Sequence, residues 1–590
     1  MKHAGRTLAH LALATALALS LAACQLIFPA NLSVTPSLLE FPKGMSSSTL
    51  TILNTGKEQS VMSWSIGESQ RLTFSPASGS LQGGGSATVI VSVDRTGLVT
   101  TELAPIRVQA GRQTVTINAV IDPIAIAGPA PCPADLGARY ASVVPIPLER
   151  SAAAFSRAGI VPTGVIVRWE ASAQPMGDHR TASPSRRIPD ELVALVSTTH
   201  DLGGATLFVT NLPVTFASRM ARQTGVMWVE LDGPVIRTQA AITGTLDDPR
   251  YVDGTQWWLD AFGFVEGRLA PAAVVADDVI VAVIDTGLRT THEDLITRVV
   301  PGINLVGFSA GISPSSNVRD GDGHGTHVAG LAAAQEANGV GVVGIASHGH
   351  VRVQPIKVFA DDGSATIADL VAALRWASGL TIKASNGSLL TNPAAVDVIS
   401  MSLGAEGYFG FSSAELRSAV IDARCEDVVL FAAAGNGLKG RTDGLPAGIG
   451  LDGGVDYPAA YPEVLSIGSV DQDQKRSVFS DYGEGLVDLM APGGQSDSGK
   501  GLLSTLASSD DAYGYLQGTS MATPLAAGSA ALLIASDPQR YRGNPAAVEA
   551  ALRAAAAKNP GTSSAEYGAG VLCLDAVLTS TSVCGVPIAP

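Results

Sequence analysis

Between positions 31 and 123, apolar and polar residues alternate in short runs, as in Ser48-Thr49-Leu50-Thr51-Ile52-Leu53, Ala87-Thr88-Val89-Ile90-Val91-Ser92-Val93 and Gln113-Thr114-Val115-Thr116-Ile117. A period of two, punctuated by Asn54-Thr55-Gly56 and Gly83-Gly84-Gly85, predicts short strands packed as a small β-sandwich, with Trp64 in its core. The stretch 124–135 is rich in Pro, Ala and Gly and reads as a linker. From 138 to about 238 the pattern mixes strand-like runs at 165–169, 205–209 and 226–231 with helix-like stretches at 189–197 and 213–224. That is a β-α-β-β-α-β-like order.

Further on the runs change character. The run at 279–284 is apolar on both faces, strand-like runs follow at 353–359, 396–403, 428–433 and 464–470, and helical patterns at 365–377 and 414–423 lie between them. Strands buried on both sides and separated by helices predict an α/β, doubly wound parallel sheet. Ser412-Ser413-Ala414-Glu415 has capping-box spacing ahead of the second helix. Small apolar residues from 525 to 535 predict a buried helix. Polar or Gly-rich excursions at 307–323, 379–393 and 437–454 are expected to shape a groove.

Composition narrows the class. A chain of 590 residues with 46% hydrophobic residues can fill several cores. Its net charge of −15 offers no basic stripe to neutralise phosphates, which argues against a nucleic-acid partner. At the start, Lys2 and Arg6 precede an apolar segment, 8–21, too short to span a bilayer comfortably, so an export signal is expected. It ends in Leu21-Ala22-Ala23-Cys24, which resembles a bacterial lipoprotein processing box and implies lipidation of Cys24. The other cysteines are Cys132, Cys425, Cys573 and Cys584. Oxidising conditions outside the cell make pairing plausible in any of three connectivities, with Cys573 and Cys584 the near pair. None has metal-knuckle spacing.

The candidate chemistry lies in three places. Ser520, in Gln517-Gly518-Thr519-Ser520-Met521-Ala522-Thr523-Pro524, stands in a Gly-rich turn opening the 525–535 helix. There backbone N–H groups are free to face an anion, although taken alone the plainer reading is an N-cap. A serine hydroxyl needs a base and an orienting group to become a nucleophile. His324, in Asp320-Gly321-Asp322-Gly323-His324-Gly325-Thr326-His327, is the candidate base. Asp285 ends the 279–284 run and so lies at the carboxyl edge of the expected sheet, where such folds place their sites.

Together Ile284-Asp285-Thr286-Gly287, His324-Gly325-Thr326-His327-Val328-Ala329-Gly330 and Gly518-Thr519-Ser520-Met521-Ala522-Thr523-Pro524 resemble the subtilisin-like serine proteases, or subtilases. Ala432-Ala433-Ala434-Gly435-Asn436 is a fourth match, and the likeness spans roughly 248–578. The resemblance implies an Asp-His-Ser triad of Asp285, His324 and Ser520, with Asn436 as oxyanion donor, and hydrolysis of peptide bonds through an acyl-enzyme. It also implies that Ser402, Leu403, Gly404, Ala433, Ala434 and Gly435 border the substrate cleft, where an extended peptide can pair as an added strand. Small side chains there leave specificity unread. A calcium site is implied at Asp294 and the loop carrying Asn338, Val340 and Val342, with Asp248 as a further ligand, since mixed carboxylate and carbonyl oxygens suit Ca2+. His327 is expected to be a satisfied helix histidine, and His292, His348 and His350 surface or structural ones.

The expected organisation is a lipoprotein signal peptide at 1–24 and an immunoglobulin-like β-sandwich at 25–124. A linker at 125–137 leads to an α+β segment at 138–246, which by position resembles the family's inhibitory propeptide. The peptidase domain follows at 247–580, with a tail at 581–590. These imply an exported, surface-anchored enzyme acting on proteins or peptides, inhibited by its own propeptide and released when self-cleavage between about 238 and 248 cuts it from the anchor. Two other readings are a catalytically silent scaffold beside a binding β-sandwich, and a processing protease of narrow specificity.

Overall fold

In this computed structural model the described residues are 30–43, 45–124, 140, 143, 162, 164–169, 192, 196–202, 205–210, 213–223, 226–232, 236–237, 255–263, 278–336, 338–347, 350–404, 413–437, 456–483, 485–495, 501–557 and 562–579. Cys24 and Asp248 therefore lie outside them, as do the linker and most of the 437–454 excursion. The chain divides into two compact units, Met1–Pro123 and Ile124–Pro590.

The first unit holds a four-stranded and a five-stranded sheet around one apolar core. The expected alternation is literal. Along Val61–Ile66 and Glu102–Ala110 every second residue is buried, and Trp64 sits in the core. The expected strands appear as Ser47–Asn54, Ser86–Val93 and Gln113–Ile121. Most pairs are antiparallel, but Leu38–Phe41 runs parallel to Gln113–Ile121.

The second unit is built on a nine-stranded sheet. Its order is Ile303–Asn304, Val351–Lys357, Val279–Asp285, Val398–Met401, Val429–Ala433, Leu465–Val470, Leu489–Pro492, Val571–Leu572, Ala556–Ala557. All neighbours are parallel except the last pair. The chain starts at Val279–Asp285, steps to one side for its next long strand, then returns to the other side. That reversal leaves a crevice at the carboxyl end of Val279–Asp285. Thr519–Ser536, almost wholly buried, packs across the central strands, which explains its run of small apolar residues. It is long and apolar enough to cross a membrane, but 94% of it lies inside the fold as a core helix.

A second, smaller sheet covers two helices of the larger sheet's layer. Gly164–Trp169, Val196–Asp201, Ala205–Thr210 and Val226–Leu231 pair antiparallel, with the helix Pro213–Met220 on one face. Val165, Val167, Phe208 and Val229 point to that helix. By alternation Ile166, Arg168, His200, Leu207, Trp228 and Glu230 point the other way. That face meets the helices Ile367–Ala377 and Ala414–Cys425. Glu230 accepts the Ala414 and Glu415 N–H groups at 2.9 and 3.1 Å, and Asp232 accepts the Ala368 N–H at 2.8 Å. Each carboxylate thus caps a helix N-terminus. Arg168 reaches Glu415 at 3.2 Å, and Glu415 also binds Arg375 at 2.6 Å.

Three expectations change. The expected 189–197 helix cannot reach its end, because Val196 already begins a strand paired with Ala205–Thr210, and of 189–195 only Leu192 is among the described residues. Ser412-to-Glu415 does not form a capping box. Ser413 is the cap, accepting from Leu416 N at 3.0 Å, while Glu415 turns to the two arginines. The 379–393 excursion carries a hairpin, Ile382–Lys383 and Leu389–Leu390, that joins the smaller sheet through Asp201 and Lys383 rather than only walling a groove. Cys425 and Cys573 are each in a disulfide, and Cys132 and Cys584 lie outside the described residues.

Candidate active site

Asp285 closes its strand at the crevice and is fully buried. Its Oδ1 accepts from Thr286 N and faces His324 Nδ1, both at 2.7 Å. His324 is the first residue of the helix His324–Ala333. That helix comes this close because Gly325 has no side chain: a Cβ there would lie 2.3 Å from Gly287 O and 3.1 Å from Asp285 Oδ1. The other ring nitrogen, His324 Nε2, is buried and makes no hydrogen bond.

Ser520 is the second residue of Thr519–Ser536, so it is not the N-cap; Gly518 holds that position. Instead Asn436 Oδ1 accepts from Thr519 N at 2.9 Å and Thr519 Oγ1 at 3.0 Å, which turns the amide so that Nδ2 points away from Thr519. The Ser520 N–H belongs to the first turn, whose donors have no acceptor within the helix. Pro524 inside the helix cannot donate to Ser520 O four residues back. Ser402 Oγ fills that acceptor at 2.7 Å, and Ser520 Oγ donates to Ser402 O at 3.3 Å. Ser402 therefore ties the helix start to the Leu403–Gly404 strand. The Ser520–His324 hydrogen bond is not formed here, and such bonds often tighten only once substrate is bound.

Leu403–Gly404 already carries a peptide. Ile236–Arg237, leaving the smaller sheet, pairs with it antiparallel, Ile236 opposite Gly404 and Arg237 opposite Leu403. Ala433 ends the neighbouring strand, followed by Ala434, buried, and Gly435, at φ 114°. So all six cleft residues expected from the sequence meet around the crevice.

The expected calcium ligands gather differently. Asp294 is buried, and its carboxylate accepts from Asn338 Nδ2 at 2.7 Å, Val342 N at 2.8 Å and the Tyr513 hydroxyl at 2.9 Å. Asn338 Oδ1 accepts from Val340 N at 3.1 Å. Donors surround Asp294, the reverse of what a cation needs, so the described members of this set do not fit a calcium cage. Burial still raises the Asp294 carboxyl to about 6, against the lowering effect of those hydrogen bonds.

The other histidines are structural. His327 Nε2 lies 3.0 and 3.2 Å from the Leu502 and Gly514 carbonyls, and burial, then the His324 ring, holds it down at about 3. His292 is buried against Ala512 O and Tyr513 rather than on the surface, and His350 is half-exposed beside Asp278. His348 lies outside the described residues. Sequence reading passed over Asp320. Its carboxylate gathers Thr286 Oγ1, Gly323 N, Thr326 N and Thr326 Oγ1 at 2.7–2.9 Å, and so holds the loop that presents His324. The signal was present: an aspartate three residues before a Gly that opens a helix.

The Subtilase family profile matches residues 276–570. Over 258 residues the chain is 37% identical to Subtilisin DY of Bacillus licheniformis, covering 44% of this chain and 77% of that one. Over 273 residues it is 35% identical to Subtilisin Savinase of Lederbergia lenta, covering 46% and 82%. Among solved structures it is similar to fervidolysin of Fervidobacterium pennivorans, a keratinolytic enzyme related to subtilisin, at a TM-score of 0.54. That match has 22% identity over 71% of this chain and 61% of that one, and it bears on fold alone. Buried acid–imidazole geometry, a parallel sheet with its crevice at Asp285 and this degree of identity converge: the chain belongs to the subtilase family and is a serine endopeptidase.

Proposed function

We propose that Asp285, His324 and Ser520 are the catalytic triad, with Asn436 Nδ2 and the Ser520 N–H as oxyanion donors. The observation that carries this reading is the buried 2.7 Å contact of Asp285 with His324 Nδ1, which leaves Nε2 buried and unpartnered. With its Nδ1–H held by the carboxylate, the ring keeps its lone pair on Nε2, the tautomer a general base needs. As Ser520 Oγ attacks the peptide carbonyl carbon, Nε2 takes the hydroxyl proton and the carbonyl electron pair moves onto oxygen. Nε2 then gives its proton to the departing amine. Water repeats the sequence on the acyl-enzyme and restores Ser520. Losing one oxyanion donor would raise the barrier by about 3–4 kcal/mol.

The 138–246 segment is read as the inhibitory propeptide. In support, its Ile236–Arg237 strand lies along Leu403–Gly404, and Glu230 and Asp232 cap two peptidase helices. The immunoglobulin-like unit is read as a spacer, and acylated Cys24 as an anchor for an exported enzyme acting on proteins. Calcium has no part in this mechanism. The test is a fluorophosphonate probe with peptide turnover. Wild type should label and hydrolyse, and Ser520→Ala should do neither while melting like wild type. Unlabelled, inactive wild type would favour the silent scaffold, and full activity in Ser520→Ala would end the triad assignment.

A further inference from the structure

We infer that Asp456 selects the residue on the acyl side of the scissile bond, favouring arginine or lysine there. The inference rests on Ser520 being the nucleophile. Ile236–Arg237 shows how a peptide lies in the cleft, antiparallel to Leu403–Gly404. One step further along, Ser402 has the carbonyl that accepts the Ser520 hydroxyl. A substrate residue opposite Ser402 therefore brings its own carbonyl to Ser520, and its side chain must enter the space flanked by the two backbone strips that diverge from the sheet, 402–404 and 433–435.

Asp456 lies across that space. A Cβ built at Gly404 on one strip falls 3.3 Å from Asp456 Cβ, and one at Gly435 on the other falls 2.2 Å from Asp456 Oδ2. Asp481 Oδ2 lies 2.2 Å from the same Gly435 position, while its Oδ1 accepts from Gly437 N at 2.9 Å. Glycine at both walls is thus what lets Asp456, itself only 7% exposed, reach in. A large apolar side chain pressed against this carboxylate would offer it neither a hydrogen bond nor an opposite charge. An ammonium or guanidinium meets it with a charge-assisted hydrogen bond, and the second carboxylate nearby adds attraction for the same cation. An acidic side chain would be repelled.

The test uses the purified processed enzyme with succinyl-Ala-Ala-Pro-Xaa p-nitroanilides in which Xaa is Arg, Lys, Leu, Phe or Glu. The expected result is a kcat/KM for Arg and Lys at least about tenfold above Leu and Phe, with Glu the poorest. Asp456→Asn should shrink the Arg-to-Leu ratio by about tenfold or more and weaken inhibition by benzamidine, and Asp456→Glu should retain most of the preference. Fluorophosphonate labelling of each variant shows that its site is assembled. If neither variant labels, the wild-type profile decides. A wild type that prefers Leu or Phe, or an unchanged ratio in labelled Asp456→Asn, overturns the proposal. Hydrolysis by Ser520→Ala would instead overturn the site assignment beneath it.

Discussion

Asp320 shows how much of a nucleophilic site rests on a group that never touches substrate. Burial pushes its carboxyl up, but hydrogen bonds from Gly323, Thr326 and Thr286 outweigh that and hold it below the usual range. Asp320→Ala removes the acceptor for five donors, Asp322 N among them, and frees the loop that carries His324. We expect kcat to fall by about 10- to 100-fold with little change in KM, because misplacing a base costs rate rather than binding. Unchanged kcat would show that the His324 helix holds its own position. Asp294 carries the opposite kind of expectation. Since its acceptors are already taken by protein donors, a chelator should move the melting temperature by less than about 1 °C. Asp294→Ala should lower it by a few degrees, since the buried Val342 N–H and the Asn338 amide lose their acceptor. A large shift on chelation would mean that a cation displaces those donors.

The smaller sheet makes a different point, because the face it turns to the peptidase is charged. Arg168, Glu415, Arg375 and Asp422 form a buried network, with Tyr140 bonded to Asp422 at 2.5 Å and Trp228 Nε1 to Glu415 at 3.1 Å. Buried pairs of this kind hold partners in register more than they add stability. In the same layer His200 is 1% exposed, both ring nitrogens lack partners, and its ring lies 4.4 Å from Phe308. Burial alone pushes it down to about 4. Folding therefore expels its proton, so its stabilising contribution is complete above pH 6.5 and is lost as pH falls from about 6.5 towards 4. Burial raises Glu230 to about 8 and Asp369 to about 6, so these carboxylates act in the opposite sense, disfavouring the folded state as pH rises. Comparing wild type with His200→Phe cancels them. The variant's melting temperature should gain on wild type by roughly 2–6 °C between pH 7 and pH 5, and a constant gap would mean that the imidazole is not what responds.

At the level of the full chain, the anchor and the enzyme would sit on opposite sides of the inhibitory segment. Cleavage between about 238 and 248 would break the main chain that joins them. Cys425 is disulfide-bonded, however, which alters the simple expectation of release. With Cys573 and Cys584 taken as the near pair, Cys132 is left for Cys425, and that bond spans the cut. Wild type should then appear shortened on reducing gels yet stay in the membrane fraction until a reductant is added. Ser520→Ala should stay full length throughout, and Cys24→Ser should appear in the medium. Processed enzyme in the medium without reductant would place the disulfide elsewhere.

Much of this molecule is written locally. The both-faces-apolar run ending at Asp285, the Gly-flanked His324 and the small-residue helix after Ser520 depend on backbone freedom, burial and period, which neighbouring residues settle among themselves. The alternation around Trp64 is legible for the same reason. What could not be read lies in pairs whose meeting depends on how the sheets close. Arg168 meets Glu415 across 247 positions, and Ser402 exchanges hydrogen bonds with Ser520 across 118. The 379–393 excursion looks like a loop until an edge strand from 196–201 pairs with it. Asp456 is an ordinary aspartate in the sequence. It acquires meaning only between Gly404 and Gly435, because electrostatic and packing energies depend on distance in space, and a one-dimensional pattern carries no such distance.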